Sequence, residues 1–264
     1  MKSVDNRRWA GARCNKPVLF CIYPCDPATP RVTETEEDNM IELTHKDRRQ
    51  IEALFQKLEQ PVKLIYFTQE IECELCSETR QLLETLTALS DKVSLEVCNF
   101  QLDKEKAAQY RIAQVPATVV QGAKDYGIRF YGLPAGYEFV VLLEDIVRVS
   151  LGSSGLDPQS IKRLQELSRP VHLEVFATPT CSYCPAAVRL AHQLAIESDL
   201  ITADMVEATE FPDLVQRYKV RGVPKTVVNG AVGFEGALPE SDFVAEVLNG
   251  AAAQEGVSTK TVSA

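Results

Sequence analysis

Four of the eight cysteines in the 264-residue chain fall into two Cys-x-x-Cys pairs, Cys73/Cys76 in CELC and Cys181/Cys184 in CSYC. Paired thiols at this spacing serve as half of a zinc site, as a structural disulfide or as a redox centre. A four-cysteine zinc site gathers its pairs within tens of residues, whereas these stand 108 residues apart, so no metal is expected. For redox work the attacking species is the thiolate, and a free cysteine with a pKa of about 8.5 is mostly protonated at neutral pH. A first cysteine at a helix N-terminus meets unpaired backbone N–H groups and the positive end of the helix dipole, which favour the anion. Cys73 and Cys181 are expected there, as nucleophiles. The second sulfur, Cys76 or Cys184, returns beside the first across one helical turn and can resolve a mixed disulfide by attacking it.

A second residue type recurs with them. Val115-Pro116 and Val223-Pro224 each place their proline 43 residues after the first cysteine of a pair. A cis X-Pro bond is accessible at small cost and lets the preceding residue turn its backbone N–H and C=O outward. A single Val-Pro would be read as a strand start, the one place a sheet tolerates proline. Two at equal distance from Cys-x-x-Cys belong with the thiols.

The spacing extends to whole elements. AAQYRIAQVPATVVQG falls on LVQRYKVRGVPKTVVNG, with Tyr110 over Tyr218 and Gly122 over Gly230, so the chain is an internal duplication. Upstream, DRRQIEALFQKLEQPVKLIYF parallels DPQSIKRLQELSRPVHLEVF: an amphipathic helix, a proline, then an apolar run suited to a buried strand. After each cysteine pair come a helix (SETRQLLETLTALS; PAAVRLAHQLAIE), a strand (VSLEVCNF; LITADMVE), a short helix and a Val-Pro strand. A turn, a strand and a last helix close each half, the hairpin turn being expected longer in the first. βαβ alternation implies a parallel core.

This order of elements resembles the thioredoxin superfamily twice over. With GLPAGYEFVVLLEDIV closing one unit and VFATPTCSYCPAAVRLAH opening the next, the chain is similar to the glutaredoxin-like protein disulfide oxidoreductases of archaea and bacteria over about residues 40 to 250. The resemblance implies an α/β fold of two tandem thioredoxin-like units, each a mixed sheet flanked by helices, with their sheets joined. It implies that Cys73, Cys76, Cys181 and Cys184 are catalytic. It implies too that Val115 and Val223, beside Pro116 and Pro224, hold extended substrate chain by strand-like hydrogen bonds. Glu174 lies seven residues before Cys181, where thioredoxins place a buried acid that takes the resolving thiol's proton; Ile65 is there in the first half. The other reading of Glu174 is a solvent-facing strand position, since a buried unpaired carboxylate is costly.

The activity implied is dithiol–disulfide exchange with protein substrates, without a bound cofactor, recharged by a flavin-containing, thioredoxin reductase-like partner. CSYC also resembles the glutaredoxin CPYC, so a glutathione-linked or iron–sulfur role is an alternative; the tandem form favours protein disulfides. A non-catalytic adaptor is a third reading, against which the two intact pairs argue.

Composition narrows the partners. With 28 basic against 37 acidic residues, a net charge of −9 and no basic stripe interleaved with aromatics, nucleic acid is not expected. No apolar run approaches a membrane span, and the basic N-terminus before VLFCIY has no convincing cleavage site, so a cytoplasmic, membrane-free protein is expected. Residues 1–39, acidic and proline-broken, read as a disordered leader, with Cys14, Cys21 and Cys25 weak support for a third site and Trp9 packing on nothing. The first unit then covers 40–150, the Gly/Ser linker 151–157, the second unit 158–250 and a tail 251–264. Cys98, whose repeat partner is Val206, reads as a core residue; His172 and His192 read as lone structural or surface residues, and His45 as near a helix start. Glu70, Glu72 and Glu74 surround Cys73, whereas Cys181 has neutral neighbours, so the second pair is expected to be the more oxidising.

Overall fold

The computed structural model describes residues 43–253, so the leader with its three cysteines and Trp9 lies outside the described residues. The first unit runs α1 (His45–Phe55), β1 (Val62–Thr68), α2 (Cys76–Thr87), β2 (Val93–Asn99), α3 (Lys104–Gln109), β3 (Ala117–Gln121), β4 (Asp125–Tyr131) and α4 (Tyr137–Leu151). The second repeats it as α5 (Pro158–Leu164), β5 (Val171–Ala177), α6 (Cys184–Glu197), β6 (Ile201–Glu207), α7 (Pro212–Arg217), β7 (Lys225–Val228), β8 (Val232–Glu235) and α8 (Glu240–Ala253). His45 opens α1, which is set by a capping box: Thr44 Oγ1 accepts from the Asp47 N–H, and the Asp47 carboxylate accepts from the Thr44 N–H. Asp157 caps α5 by accepting from the Gln159 N–H, with Pro158 at the first helical position.

The eight strands of the described residues form one sheet in the order β2-β1-β3-β4-β6-β5-β7-β8. Within each unit the first two strands are parallel and the Val-Pro hairpin is antiparallel. The units join where β4 pairs parallel with β6, from Ile128↔Ala203 to Tyr131↔Val206. The hairpin expectation needs correction. The loops 122–124 and 229–231 are equally long, and the additional residues of the first half sit in β4, where a register shift opposite Val119 and Gln121 bulges the strand at Gly127, φ 80°.

One face of the sheet carries α1, α2, α4, α5, α6 and α8 over a continuous apolar core; among the described residues the other carries α3 and α7. α4 is apolar nearly all round (EFVVLLEDIVRVS) because it is buried nearly all round, including against α6 of the other unit. Within that contact Asp145 Oδ2 and His192 Nδ1 approach to 2.6 Å with both side chains fully buried, and Arg189 Nε donates to Glu144 Oε2 at 2.5 Å. The joint is also packed. Ser154 and Leu156 are buried, and Gln193 Nε2 donates to the Ser154 carbonyl at 2.7 Å. The tail boundary is corrected as well, since α8 continues through Ala253. Among the described residues no helix is long and apolar enough to cross a membrane.

Candidate active site

Each Cys-x-x-Cys pair is a disulfide with Cα atoms 5.5 Å apart, formed where a central strand ends and a helix begins. The first cysteine lies just ahead of the helix and not within it: α2 and α6 start at Cys76 and Cys184, after N-caps Leu75 and Tyr183. It is therefore the second cysteine that occupies the first helical position, and the first lies just ahead of it, where it can meet the N–H groups of that turn. At the second site this is a direct contact, the Cys184 N–H donating to Cys181 Sγ at 3.1 Å. Exposure divides the two sulfurs as nucleophile and resolver require. Cys73 and Cys181 are half-exposed, Cys76 and Cys184 buried. Beneath Cys76, Tyr66 Oη donates to its carbonyl at 2.7 Å, and burial pushes the Tyr66 phenol up to about 12.

The Val115-Pro116 and Val223-Pro224 bonds are both cis, at the starts of β3 and β7. The structure brings Val223 to its thiol, with its carbonyl 3.8 Å from Cys181 Sγ. Behind each proline the hairpin is closed by a glycine with φ 96°: Gly132 N–H donates to the Pro116 carbonyl and Gly236 N–H to the Pro224 carbonyl, both at 2.9 Å.

Glu174 is not beside the thiols. Leu173, Val175 and Ala177 point to the face of α6 and share its core with Cys184. Glu174, one residue out of phase, lines a cleft of about 590 Å³ on the opposite face, with Tyr131 of β4, Asp204 of β6 and Arg217 of α7. It is 7% exposed, so the solvent-facing reading fails too. Burial raises its pKa, while a hydrogen bond to Tyr218 lowers it. The two histidines are not lone: His172 Nε2 lies 2.6 Å from Asp204 Oδ2, and His192 is held by Asp145. Both partners come from distant parts of the chain, so local sequence carried no sign of them. Cys98 is a buried free thiol in the core beside α3.

The comparisons with known proteins agree with this geometry. Residues 171–249 match the family model of a thioredoxin domain, Thioredoxin_3. A protein disulfide oxidoreductase from Aeropyrum pernix K1 superposes with a TM-score of 0.75 at 32% identity, covering 82% of this chain and 95% of that one. The chain belongs to the protein disulfide oxidoreductase family. Its tandem thioredoxin fold is also similar to the N-terminal domain of the alkyl hydroperoxide reductase AhpF from Enterococcus faecalis, with TM-score 0.73, 25% identity, and 78% of this chain and 100% of that one covered. The corresponding alkyl hydroperoxide reductase protein of Pseudomonas aeruginosa is 25% identical over 208 residues, which is 79% of this chain but only 38% of that longer protein.

In this family member a group of buried and half-buried acids lies between the two sites, and sequence reasoning missed it. Gly136 N-caps α4 with φ 60°, and the Tyr137 N–H donates to the Pro179 carbonyl at 3.2 Å, two residues before Cys181. A Cβ on Gly136 would stand 2.2 Å from that carbonyl oxygen, so only glycine fits. The next side chain, Glu138, is 2% exposed, and neither of its oxygens is held by another side chain. Burial, with some help from Glu207, pushes its pKa up to about 8. Glu210 accepts from the Leu133 N–H at 2.7 Å and is pushed up to about 7, again mainly by burial, with Glu207 and Glu78 adding to it. Glu78 belongs to α2, two residues after Cys76. The available signal was a glutamate set between large apolar residues in LPAGYEFVV, which an N-terminal helix position made look ordinary.

Proposed function

We propose that the chain exchanges disulfides with protein substrates through two active centres, Cys73/Cys76 and Cys181/Cys184. The observation that carries this is the twice-repeated arrangement of an accessible first sulfur, a buried second sulfur and a cis Val-Pro at the adjoining strand. Starting from the reduced pair, the Cys73 or Cys181 thiolate attacks one sulfur of a substrate disulfide. The new S–S bond forms as the substrate bond breaks, and the departing substrate thiolate takes up a proton. The Cys76 or Cys184 thiol then gives up its proton and attacks the first sulfur, releasing the second substrate thiol. Two electrons and two protons pass to the substrate and the protein is left with the disulfide seen here; oxidation of a substrate dithiol is the reverse. The backbone carbonyls and N–H groups of Val115 and Val223 hold the substrate chain as an added strand.

In this reading the electrons travel in the sulfurs and no bound cofactor is needed. The donor that recharges them is a flavin-dependent, thioredoxin reductase-like protein. The names of the longer relatives, components of a hydroperoxide reductase, support a reductase-linked donor. The place of action is the cytoplasm. Three glutamates beside Cys73 disfavour its thiolate and hence its reduced form, so the second pair is the more oxidising, by about 10 to 30 mV at pH 7.

Insulin reduction with dithiothreitol as electron source tests the activity. The wild-type protein is expected to catalyse it, and Cys73→Ser with Cys181→Ser to abolish it. Full activity in that double variant would leave a non-catalytic adaptor as the better reading.

A further inference from the structure

The duplication presents the same scaffold twice with different charges around the disulfide. Glu70, Glu72 and Glu74 of the first site stand where the second has Thr178, Thr180 and Ser182. On the Val-Pro loops the difference has the opposite sign. The second site carries exposed Lys219 and Arg221, where the first has Arg111 and Ala113. These charges distinguish what approaches the two centres.

The first site also has an apolar surface of its own. A groove of about 550 Å³ contains Cys73 and Cys76, and an adjoining hollow of about 400 Å³ is lined by Ile71, Leu102 and Glu72; the two share Gln69, Glu70 and Asn99. Of six large hydrophobic residues exposed among the described residues, three lie here: Ile71 at 77%, Leu102 at 81% and Val97 at 39%. Such a concentration marks a contact surface, whereas scattered exposed residues would not. The loop that presents it is held in shape, with Glu72 in the left-handed region at φ 58° and its carbonyl accepting from Gln69 Nε2 at 3.3 Å. Arg80, a cation in the groove wall, is engaged by Glu84 at 2.7 Å.

We propose that the Cys73–Cys76 groove is the docking surface for a cationic partner: a polypeptide segment with lysine or arginine flanking its reactive cysteine and an apolar side chain for the Ile71–Leu102 hollow. The proposal rests on the exchange activity above and names the partner class of one of its two centres. The Cys181–Cys184 centre, with its basic Val-Pro loop, is the internal contrast and favours anionic segments. Charges this exposed act within about 10 Å at 0.1 M salt, so they govern encounter more than residence.

The test uses full-length protein with one centre removed at a time, Cys181→Ser/Cys184→Ser or Cys73→Ser/Cys76→Ser, and dithiothreitol as reductant. The probes are three peptides with one disulfide and the same apolar core, flanked by lysines, glutamates or serines. At low salt the first centre is expected to reduce the lysine peptide with kcat/KM about tenfold above the glutamate peptide, the advantage collapsing as salt is raised. The second centre is expected to show the reverse order. Glu70→Thr, Glu72→Asn and Glu74→Ser together, asparagine keeping the left-handed position, should erase the first centre's preference. Equal rates for the three peptides at low salt overturn the proposal, as does a salt-sensitive self-association in sedimentation, which would make the basic loop of a second copy the occupant. Failure to reduce even the serine peptide at either centre overturns the exchange reading itself.

Discussion

Glu138 shows how much of a residue's chemistry is set by what folds over it. Its carboxyl ordinarily titrates at 4.5, but burial raises this to about 8. A carboxyl raised on folding stabilises the native state fully below its unfolded pKa, and that stability is lost as pH rises through the folded value. Wild-type stability is therefore expected to decline between about pH 4.5 and 8, and Glu138→Gln to flatten the decline. Thermal melts should show the variant gaining on wild type by several degrees at pH 8.5 relative to pH 5; parallel melting profiles would remove Glu138 as the cause. The four thiols and the two prolines were legible in the sequence because their spacing repeats, and a repeated spacing needs no tertiary knowledge. Glu138 was not legible, because β6 and the loop over it come from elsewhere in the chain. Glu174 was misjudged by a single residue of strand phase, which moves a side chain through the sheet.

The 132–136 loop, between β4 and α4, does for the elements what the β4–β6 pairing does for the sheet. It takes a glycine at each point of close approach: Gly132, where a Cβ would stand 2.6 Å from the Glu207 Cβ, and Gly136, where it would meet the Pro179 carbonyl. Gly136→Ala adds a Cβ against backbone at a positive φ, so a loss of about 2 to 3 kcal/mol in urea unfolding is expected, with slower exchange at the second site. Gly222→Ala, where a Cβ meets nothing within 4 Å, should stay within about 0.5 kcal/mol. If Gly136→Ala were as stable as Gly222→Ala, the loop would not be the clamp its geometry indicates. Order and type of elements were readable from periodicity and proline punctuation. The β4 bulge was not, because extra residues between two strand signals look the same whether they lengthen a turn or a strand.

At the scale of the molecule, two repeats have become one body. β4 and β6 make the sheet continuous, and α4 lies against α6 with Asp145 and His192 buried between them. Fully burying apolar side chains such as Val141, Leu142 and Ile146 of α4 contributes about 1.5 to 3 kcal/mol each, and much of that burial is shared across the units. Urea unfolding is thus expected as one cooperative transition, with far-ultraviolet circular dichroism and tyrosine fluorescence coinciding. Two separated transitions would mean that the units are energetically independent despite their common sheet. The duplication was visible in the sequence and the joined sheet was expected from the family resemblance; which strands make the join was not legible, since β4 and β6 carry no pairing signal of their own.

The claim on which the function rests is that Cys73 and Cys181 each form a transient disulfide with a protein substrate that Cys76 and Cys184 then resolve. Removing both resolving thiols should trap that intermediate. Full-length protein carrying Cys76→Ser and Cys184→Ser, incubated with a disulfide-containing protein, is expected to accumulate covalent adducts, identified by peptide mass at Cys73 and Cys181 and released by dithiothreitol. Absence of any adduct, or adducts confined to Cys98, would contradict it.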